Sequence, residues 1–229
     1  MTDSTSLASN VAQIDLDAAI EAEALTIIVG GGYDALTGGA GDDYLDGRGW
    51  MSSTVAPAAT RSKSGGTDDL IYGRSGFDII TGEGGQDTIY GQDGADEIDG
   101  GSSDDWIEGR SSNNIIFGGF GEGSIFGDSG DDLINGGDGN HTLTGATGGD
   151  FTLSGDGDNV LNPEREDDIL FGGAGNDTFD LEGNDYAHGS FGDDLFKVDT
   201  GTIGTRVTEL AVMTHTHDYP CGSQCCRRQ

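Results

Sequence analysis

The chain has few of the features that hold an ordinary globular domain together. Apolar residues make up 33% of its 229 residues, against a usual share of roughly 45–50%. Its 3 cysteines all lie within the last nine residues, so disulfides do not hold the rest of the chain together. No segment approaches the roughly 18 apolar residues of a membrane span, and no apolar signal-peptide core follows the polar N-terminus. The stability of any folded state must therefore come from another source.

Positive charge is also scarce. The chain has 10 basic against 42 acidic residues, a formal net charge of −32, which argues against nucleic acid and anionic membranes as partners. Low hydrophobicity with high net charge is typical of disorder, and the 43 glycines make the chain costly to order. Composition alone therefore predicts an unfolded polyanion, unless a component absent from the sequence stabilises the fold.

The order of the residues predicts a folded repeat protein instead. From Ser64 to Asp180 a period of nine holds for thirteen units without insertion or deletion. Glycine opens most units and the eighth residue is almost always Ile, Leu or Phe, with Thr152 as the exception. After Asp180 the nine-residue period is short by one residue, near His188, and a last unit ends at Lys197. A fixed period of this length predicts one small unit stacked many times. Isoleucine is the eighth residue of eight successive units: Ile71, Ile80, Ile89, Ile98, Ile107, Ile116, Ile125 and Ile134.

The unit predicts stacked strands and stacked carboxylates. A six-residue glycine-rich turn and a three-residue strand bury nothing alone, but parallel stacking at about 4.7–4.9 Å forms sheets with an inward apolar ladder. The aspartate two residues before the apolar position then stacks on its equivalents, which is destabilising unless cations neutralise it. Calcium fits because it accepts six to eight oxygen ligands in flexible geometry. Magnesium demands tighter geometry, and zinc prefers His or Cys, which the turns lack apart from His141.

Two units, Gly38 to Asp46 and Gly172 to Asp180, match the pattern Gly-Gly-x-Gly-x-Asp-x-apolar-x in full. From Val29 to Lys197 the chain resembles the RTX, or haemolysin-type, calcium-binding repeat proteins. The resemblance implies an all-β, right-handed parallel β-roll (a β-solenoid) with two units per coil. It also implies several Ca²⁺ ions between turns on the same edge, folding triggered by calcium, and secretion by a bacterial type I route.

We expect three segments. Residues 1–28 form an N-terminal cap or a flexible segment, and 29–197 form the roll. Within it, 47–63 break the pattern as a surface loop or as two decayed units. Residues 198–229 form a poorly ordered tail.

With two units per coil, neighbours on one edge lie eighteen residues apart. Sorting by edge gives seven fully paired carboxylate sites, whose ions would cancel fourteen of the thirty-two negative charges. One edge loses its carboxylates at Gly123, His141 and Asn159, and the other only at Asn114, so we expect asymmetric loading. The paired sites are Asp69/Asp87, Asp87/Asp105, Asp78/Asp96, Asp132/Asp150, Asp150/Asp168, Asp168/Asp185 and Asp177/Asp194. The candidate calcium ligands are Asp34, Asp43, Asp69, Asp78, Asp87, Asp96, Asp105, Asp132, Asp150, Asp168, Asp177, Asp185 and Asp194.

The seventh residue of each unit faces outward. On one sheet these residues are nearly all apolar, and on the other they are mixed. A one-sided stripe indicates either a surface covered by a protein partner or a second copy, or β-propensity alone. The stripe comprises Ile79, Ile115, Leu133, Phe151 and Ile169.

No catalytic constellation appears, so we predict no enzyme: His-Glu-x-x-His and Gly-x-Ser-x-Gly are absent. The terminal group His215, His217, Cys221, Cys225 and Cys226 matches no standard zinc spacing, and no familiar type I secretion signal follows the repeats. The leading prediction is a secreted calcium-binding module with a scaffold or secretion-supporting role. The alternative is the repeat domain of a larger secreted RTX enzyme, cytolysin or adhesin.

Overall fold

The structure is a computed structural model. It describes residues 3–7, 11–15, 25–29, 33–37, 44–46, 50–54, 61–198, 204–208 and 212–215. Side chains are described for 26–28, 36, 44–46, 61–198 and 204–208. Every strand in these ranges belongs to one of two parallel sheets, and the ranges contain no helix.

Each sheet has twelve strands, and consecutive strands of the chain alternate between the sheets. The first sheet, called sheet A, comprises β1 (Asp3–Leu7), β3 (Leu25–Val29), β5 (Tyr44–Asp46), β7 (Arg61–Lys63), β9 (Ile79–Thr81), β11 (Glu97–Ser102), β13 (Ile115–Phe120), β15 (Leu133–Asp138), β17 (Phe151–Leu153), β19 (Ile169–Ala174), β21 (Tyr186–Phe191) and β23 (Arg206–Thr208).

The second sheet, called sheet B, faces the first across the core. It comprises β2 (Val11–Asp15), β4 (Tyr33–Thr37), β6 (Trp50–Thr54), β8 (Leu70–Ser75), β10 (Thr88–Asp93), β12 (Trp106–Ser111), β14 (Ser124–Ser129), β16 (Thr142–Thr147), β18 (Val160–Glu164), β20 (Thr178–Leu181), β22 (Leu195–Val198) and β24 (Val212–His215). One strand from each sheet makes one coil, so the predicted all-β parallel roll is confirmed.

The eighth residues of the units form the core. All eight isoleucines of the period are at most 1% exposed, and Thr152 occupies the same inward position at 3%. Toward the C-terminal end Phe179 and Phe196 replace the aliphatic residues, with ring centroids 4.5 Å apart and nearly parallel. The core is therefore a column one side chain wide on each sheet, which explains how 33% apolar residues suffice to fill it.

Strand register follows the eighteen-residue coil. Ile89 pairs with Ile107 and Ile116 with Ile134, as the period predicts. The coil shortens to seventeen residues between Leu161 and Glu164, which pair with Phe179 and Leu181. The missing residue therefore lies just before Leu181, so the position predicted near His188 is wrong.

Many strands are longer than the predicted three residues. Ten of the twenty-four described strands span six, because the parallel hydrogen bonds continue through the first three residues of the next unit. Only the fourth to sixth residues of most units are left as turn. The first three residues of a unit stay in register with the first three residues of the equivalent unit one coil away, so the two sets remain hydrogen-bonded.

Strands also occur in the three segments expected to be irregular. β1 and β2 lie within 1–28, β6 and β7 within 47–63, and β23 and β24 within 198–229. The pair within 47–63 contributes one strand to each sheet, which is the arrangement of two decayed units. The domain limits themselves stay a prediction.

The fourth residue of each unit carries the sharpest backbone requirement. Gly139 has φ 133°, and an added Cβ would fall far inside van der Waals contact with the carbonyl oxygen of Gly121 one coil earlier. Glycine is needed here both for the positive φ and for the close approach of two backbones.

We therefore expect Gly139→Ala to destabilise the folded protein by at least about 2 kcal/mol, since left-handed strain and a backbone clash act together. Chemical denaturation at saturating calcium measures this. Gly66→Ala is the control, because nothing lies within 4 Å of a Cβ built at Gly66. Equal stabilities for the two variants would contradict this account of the turn.

Candidate metal centre

The sixth residues of the units form two buried columns, one along each edge of the roll. Eleven of the thirteen candidate ligands have described side chains, all at most 3% exposed. Asp43 lies outside the described residues, and Asp34 lies in β4 with its side chain outside them. The first edge carries Asp69, Asp87, Asp105, Gly123, His141, Asn159, Asp177 and Asp194, and the second carries Asp78, Asp96, Asn114, Asp132, Asp150, Asp168 and Asp185.

In nine of the inner aspartates, one carboxylate oxygen accepts a backbone N–H of the neighbouring coil. The backbone N–H of Asp69 donates to Oδ1 of Asp87 at 2.8 Å, and Asp87 donates in the same way to Asp105 at 2.9 Å. On the other edge Asp132 donates to Asp150 at 2.8 Å. These bonds, called the inner ladder, join the same neighbours that the sequence sorting placed together.

The other carboxylate oxygen, Oδ2, is buried without a hydrogen-bond donor in nine of these aspartates. Burying an ionised oxygen without a partner costs several kcal/mol, so the arrangement calls for a positive charge that the chain itself does not supply. The nine are Asp87, Asp96, Asp105, Asp132, Asp150, Asp168, Asp177, Asp185 and Asp194.

The first residue of the unit leaves space beside Oδ2. A Cβ built at Gly100 would lie 2.7 Å from Oδ2 of Asp105 and 2.7 Å from the carbonyl oxygen of Gly118 on the next coil. The same convergence of a carboxylate and a next-coil carbonyl recurs at five further glycines: Gly73, Gly82, Gly91, Gly127 and Gly172. The missing side chain thus leaves a small space between carboxylate and carbonyl oxygens, which is where a hard cation fits.

The carbonyl of the fourth residue also faces the inner column. Where asparagine replaces aspartate, its side-chain nitrogen donates to this carbonyl: Asn114 to Ser112 O at 3.0 Å, and Asn159 to Gly157 O at 2.9 Å. Asparagine has the shape of aspartate, so Oδ2 of an aspartate in this position would face a carbonyl oxygen with no hydrogen between them. A cation removes that repulsion.

His141 interrupts the first edge. Its Nδ1 accepts the backbone N–H of Gly123 at 3.1 Å, so the proton of the neutral ring resides on Nε2. Burial lowers the pKa of His141, which keeps the ring neutral. A protonated Nε2 is a donor and does not bind a metal, so the structure offers no soft ligand at this level.

A second ladder lies outside the first and was not foreseen from the sequence. Side chains of fifth residues accept backbone N–H groups of the next coil. The N–H of Gln86 donates to Oδ1 of Asp68 at 2.8 Å, and the N–H of Asp158 donates to Oδ1 of Asn140 at 2.8 Å. This outer ladder is exposed and runs in the opposite direction to the inner one. The repeated Asp or Asn at the fifth residue of the units is the sequence pattern from which this outer ladder could have been predicted.

Burial dominates the electrostatics of the inner column. It raises the pKa of Asp87 to about 8 and that of Asp168 and Asp185 to about 7, while backbone N–H donors oppose the shift. The pKa values of Asp96, Asp105, Asp132, Asp150 and Asp177 rise to about 6 for the same first reason. In the absence of a cation, these groups therefore ionise at a higher pH than an ordinary aspartate.

No three side chains of His, Cys, Asp or Glu converge within the described part of the chain. Any metal held between coils must therefore take backbone carbonyls together with paired carboxylates. Oxygen-only donors of this kind, in a backbone able to adjust, match the preferences of Ca²⁺. The residues present therefore fit calcium.

Comparison with known families agrees with this geometry. A family described as RTX calcium-binding nonapeptide repeat (4 copies) matches residues 26–49, 64–98, 90–125, 123–152, 153–182 and 179–201, more than half of the chain. The chain belongs to the RTX calcium-binding repeat family. Repeats of this family bind calcium, in accord with the donor set above. A search of curated proteins gave no match. Within the described ranges, the structure contains no helix with the length and apolar character needed to cross a membrane.

The raised carboxyl pKa values predict how the calcium-free protein responds to pH. Aspartates with folded-state pKa values of about 6 to 8, against 3.8 for the ordinary group, stabilise the calcium-free fold at low pH and lose that contribution as pH rises through this range. We therefore expect the β-sheet circular dichroism of the calcium-free protein to increase as pH falls from 8 to about 4.5. A flat or decreasing signal would show that burial of these carboxyls does not control the calcium-free fold.

Proposed function

We propose that this protein is a secreted RTX module in which Ca²⁺ ions held between adjacent coils drive folding. The observation that carries the proposal is the pair of buried columns in which nine Oδ2 atoms lack a donor. The ligands we propose are the thirteen aspartates named from the sequence, with carbonyls of the first and fourth residues completing the oxygen set. When bound, calcium supplies the positive charge that these oxygens require.

Coupling between binding and folding rests on the composition and the burial together. The formal charge of −32 opposes compaction, and the inner carboxylates meet only in the stacked state. Because the ligands come from successive coils, the unfolded chain offers no assembled site. A ligand that binds only the folded state stabilises it in proportion to the logarithm of its concentration.

We expect a purified sample without calcium at pH 7.5 to show a coil spectrum, and calcium titration to produce β-structure cooperatively, whereas magnesium at the same concentrations does not. Calorimetry is expected to count about seven ions, one for each fully paired site of the inner columns. A compact, sheet-rich protein after exhaustive chelation would refute the coupling, and a count near twelve would refute the edge sorting.

A matched pair of variants separates calcium ligands from solvated neighbours. Asp150 belongs to two paired sites, whereas Asp131 belongs to the outer ladder, where its Oδ1 accepts the N–H of Gly149 at 2.9 Å. Asp150→Ala is expected to reduce the ion count by two, and Asp131→Ala to leave it unchanged. Equal losses in the two variants would contradict the assignment of the inner column.

The biological role we propose is a scaffold, or a segment that supports secretion by a type I route. Repeat-only solenoids of this kind are not a typical catalytic fold, and the inner aspartates already have structural partners. The alternative is the repeat domain of a larger secreted RTX enzyme, cytolysin or adhesin. The gene neighbourhood discriminates between them, since the alternative requires an encoded active domain beside this one.

A second candidate role is association through the outer face of sheet A. Ile115, Leu133 and Ile169 are 40%, 38% and 41% exposed and stack in register with Phe151 along the sheet. Phe171 extends the same surface, with its ring centroid 5.7 Å from that of Phe151. Ile79 lies at its N-terminal side, beyond Glu97. A continuous apolar stripe of this kind fits a protein partner or a second copy.

The double substitution Leu133→Lys and Phe151→Lys tests this role. Lysines on the stripe are expected to abolish self-association or partner capture, because charges at the centre of an apolar interface are left unpaired. Analytical ultracentrifugation at saturating calcium gives the association state, and circular dichroism verifies the fold. Thr88→Lys with Thr142→Lys, on the outer face of sheet B, is the control. Unchanged association would leave β-propensity as the reason for the stripe.

A further inference from the structure

Two levels of the inner columns carry asparagine in place of aspartate. We propose that Asn114 and Asn159 place their own amide nitrogen where a calcium ion lies in the aspartate units, so that these levels are held together without metal. The inference rests on calcium binding by the inner columns, as proposed above. In these two units, the side-chain amide of asparagine takes the structural place of the ion.

The first argument is that both asparagines keep every other contact of the inner ladder. Asn159 accepts the N–H of His141 through Oδ1 at 2.8 Å and donates its own N–H to Asp177 at 2.9 Å. Asn114 does the same with Asp96 and Asp132, at 2.9 and 2.7 Å. The only difference from an aspartate unit is therefore at the second side-chain atom, Nδ2 in place of Oδ2.

The second argument is that this nitrogen contacts an oxygen available to the ion. Nδ2 of Asn159 donates to Gly157 O at 2.9 Å, and Nδ2 of Asn114 to Ser112 O at 3.0 Å. These are ordinary hydrogen-bond lengths, a few tenths of an ångström above the roughly 2.3–2.6 Å of calcium–oxygen bonds. The exchange therefore needs little movement of the turn.

The neighbourhood of Asn159 is closed to an ion by a second group. Ser154, the first residue of the same unit, donates its hydroxyl to Gly172 O, a carbonyl equivalent to those that face the space beside Oδ2 in glycine-led units. With Gly123 and His141 on the preceding coils, the first edge has three successive levels without a carboxylate. We expect calcium there only on either side of this block.

Substitution in both directions tests the proposal by calorimetric ion counting. Asn159→Asp, which pairs a new carboxylate with that of Asp177, is expected to add one ion, either alone or together with Ser154→Gly. Asn114→Asp is expected to add two ions, and Asp132→Asn to remove one. The charge-matched control is Asn140→Asp in the outer ladder, which is expected to change nothing, since Asn140 lies outside the inner column.

A comparison of Asp132→Asn with Asp132→Ala tests the amide itself, because both remove the carboxylate but only asparagine can donate to Gly130 O. At saturating calcium the melting temperature of Asp132→Asn is expected to exceed that of Asp132→Ala by about 2–4 °C, the shift from one net hydrogen bond.

Equal melting temperatures of Asp132→Asn and Asp132→Ala overturn the inference. So does a failure of Asn114→Asp and of Asn159→Asp, with or without Ser154→Gly, to gain an ion while the unmodified protein binds calcium. If the unmodified protein binds no calcium, the proposed function fails as well, and the two failures are thus distinguishable.

Discussion

The structure depends on one electrostatic constraint: carboxylates stacked in a buried column must be neutralised. In nine inner aspartates one carboxylate oxygen accepts a backbone N–H of a neighbouring coil, while the other oxygen is buried without a donor. Hydrogen bonding thus fixes where the carboxylates lie but only half satisfies them. The repulsion that remains between ionised carboxylates opposes stacking of the coils at neutral pH, and a cation between the coils would remove it.

The same nine-residue unit builds the core and the candidate metal sites. The eighth residue points inward, as Ile107 does at 0% exposure, and the sixth places Asp105 in the column two residues earlier. Glycine at the first residue, such as Gly100, opens the space between a carboxylate and a next-coil carbonyl. Fold and binding therefore cannot vary independently, and a change at any of these three residues affects both.

Much of this was predictable from spacing alone. The period places Ile107 in the core and Asp132 and Asp150 on one edge, as the structure has them. The outer ladder and the amide contact of Asn159 were not predictable, because side-chain to backbone bonds depend on turn conformation rather than on period. The missing residue of the shortened coil lies just before Leu181 and not near His188. The sequence did not fix its position, because the eight residues after Asp180 can be aligned to a nine-residue unit in more than one way.

The opposite polarity of the two ladders makes the two faces of a coil different. In the inner ladder the N–H of Asp132 donates to the carboxylate of Asp150, which lies one coil later. In the outer ladder the N–H of Gly149 donates to Asp131, which lies one coil earlier. A coil therefore offers its inner carboxylates to the coil before it and its outer carboxylates to the coil after it, so neighbouring coils stack in a single orientation.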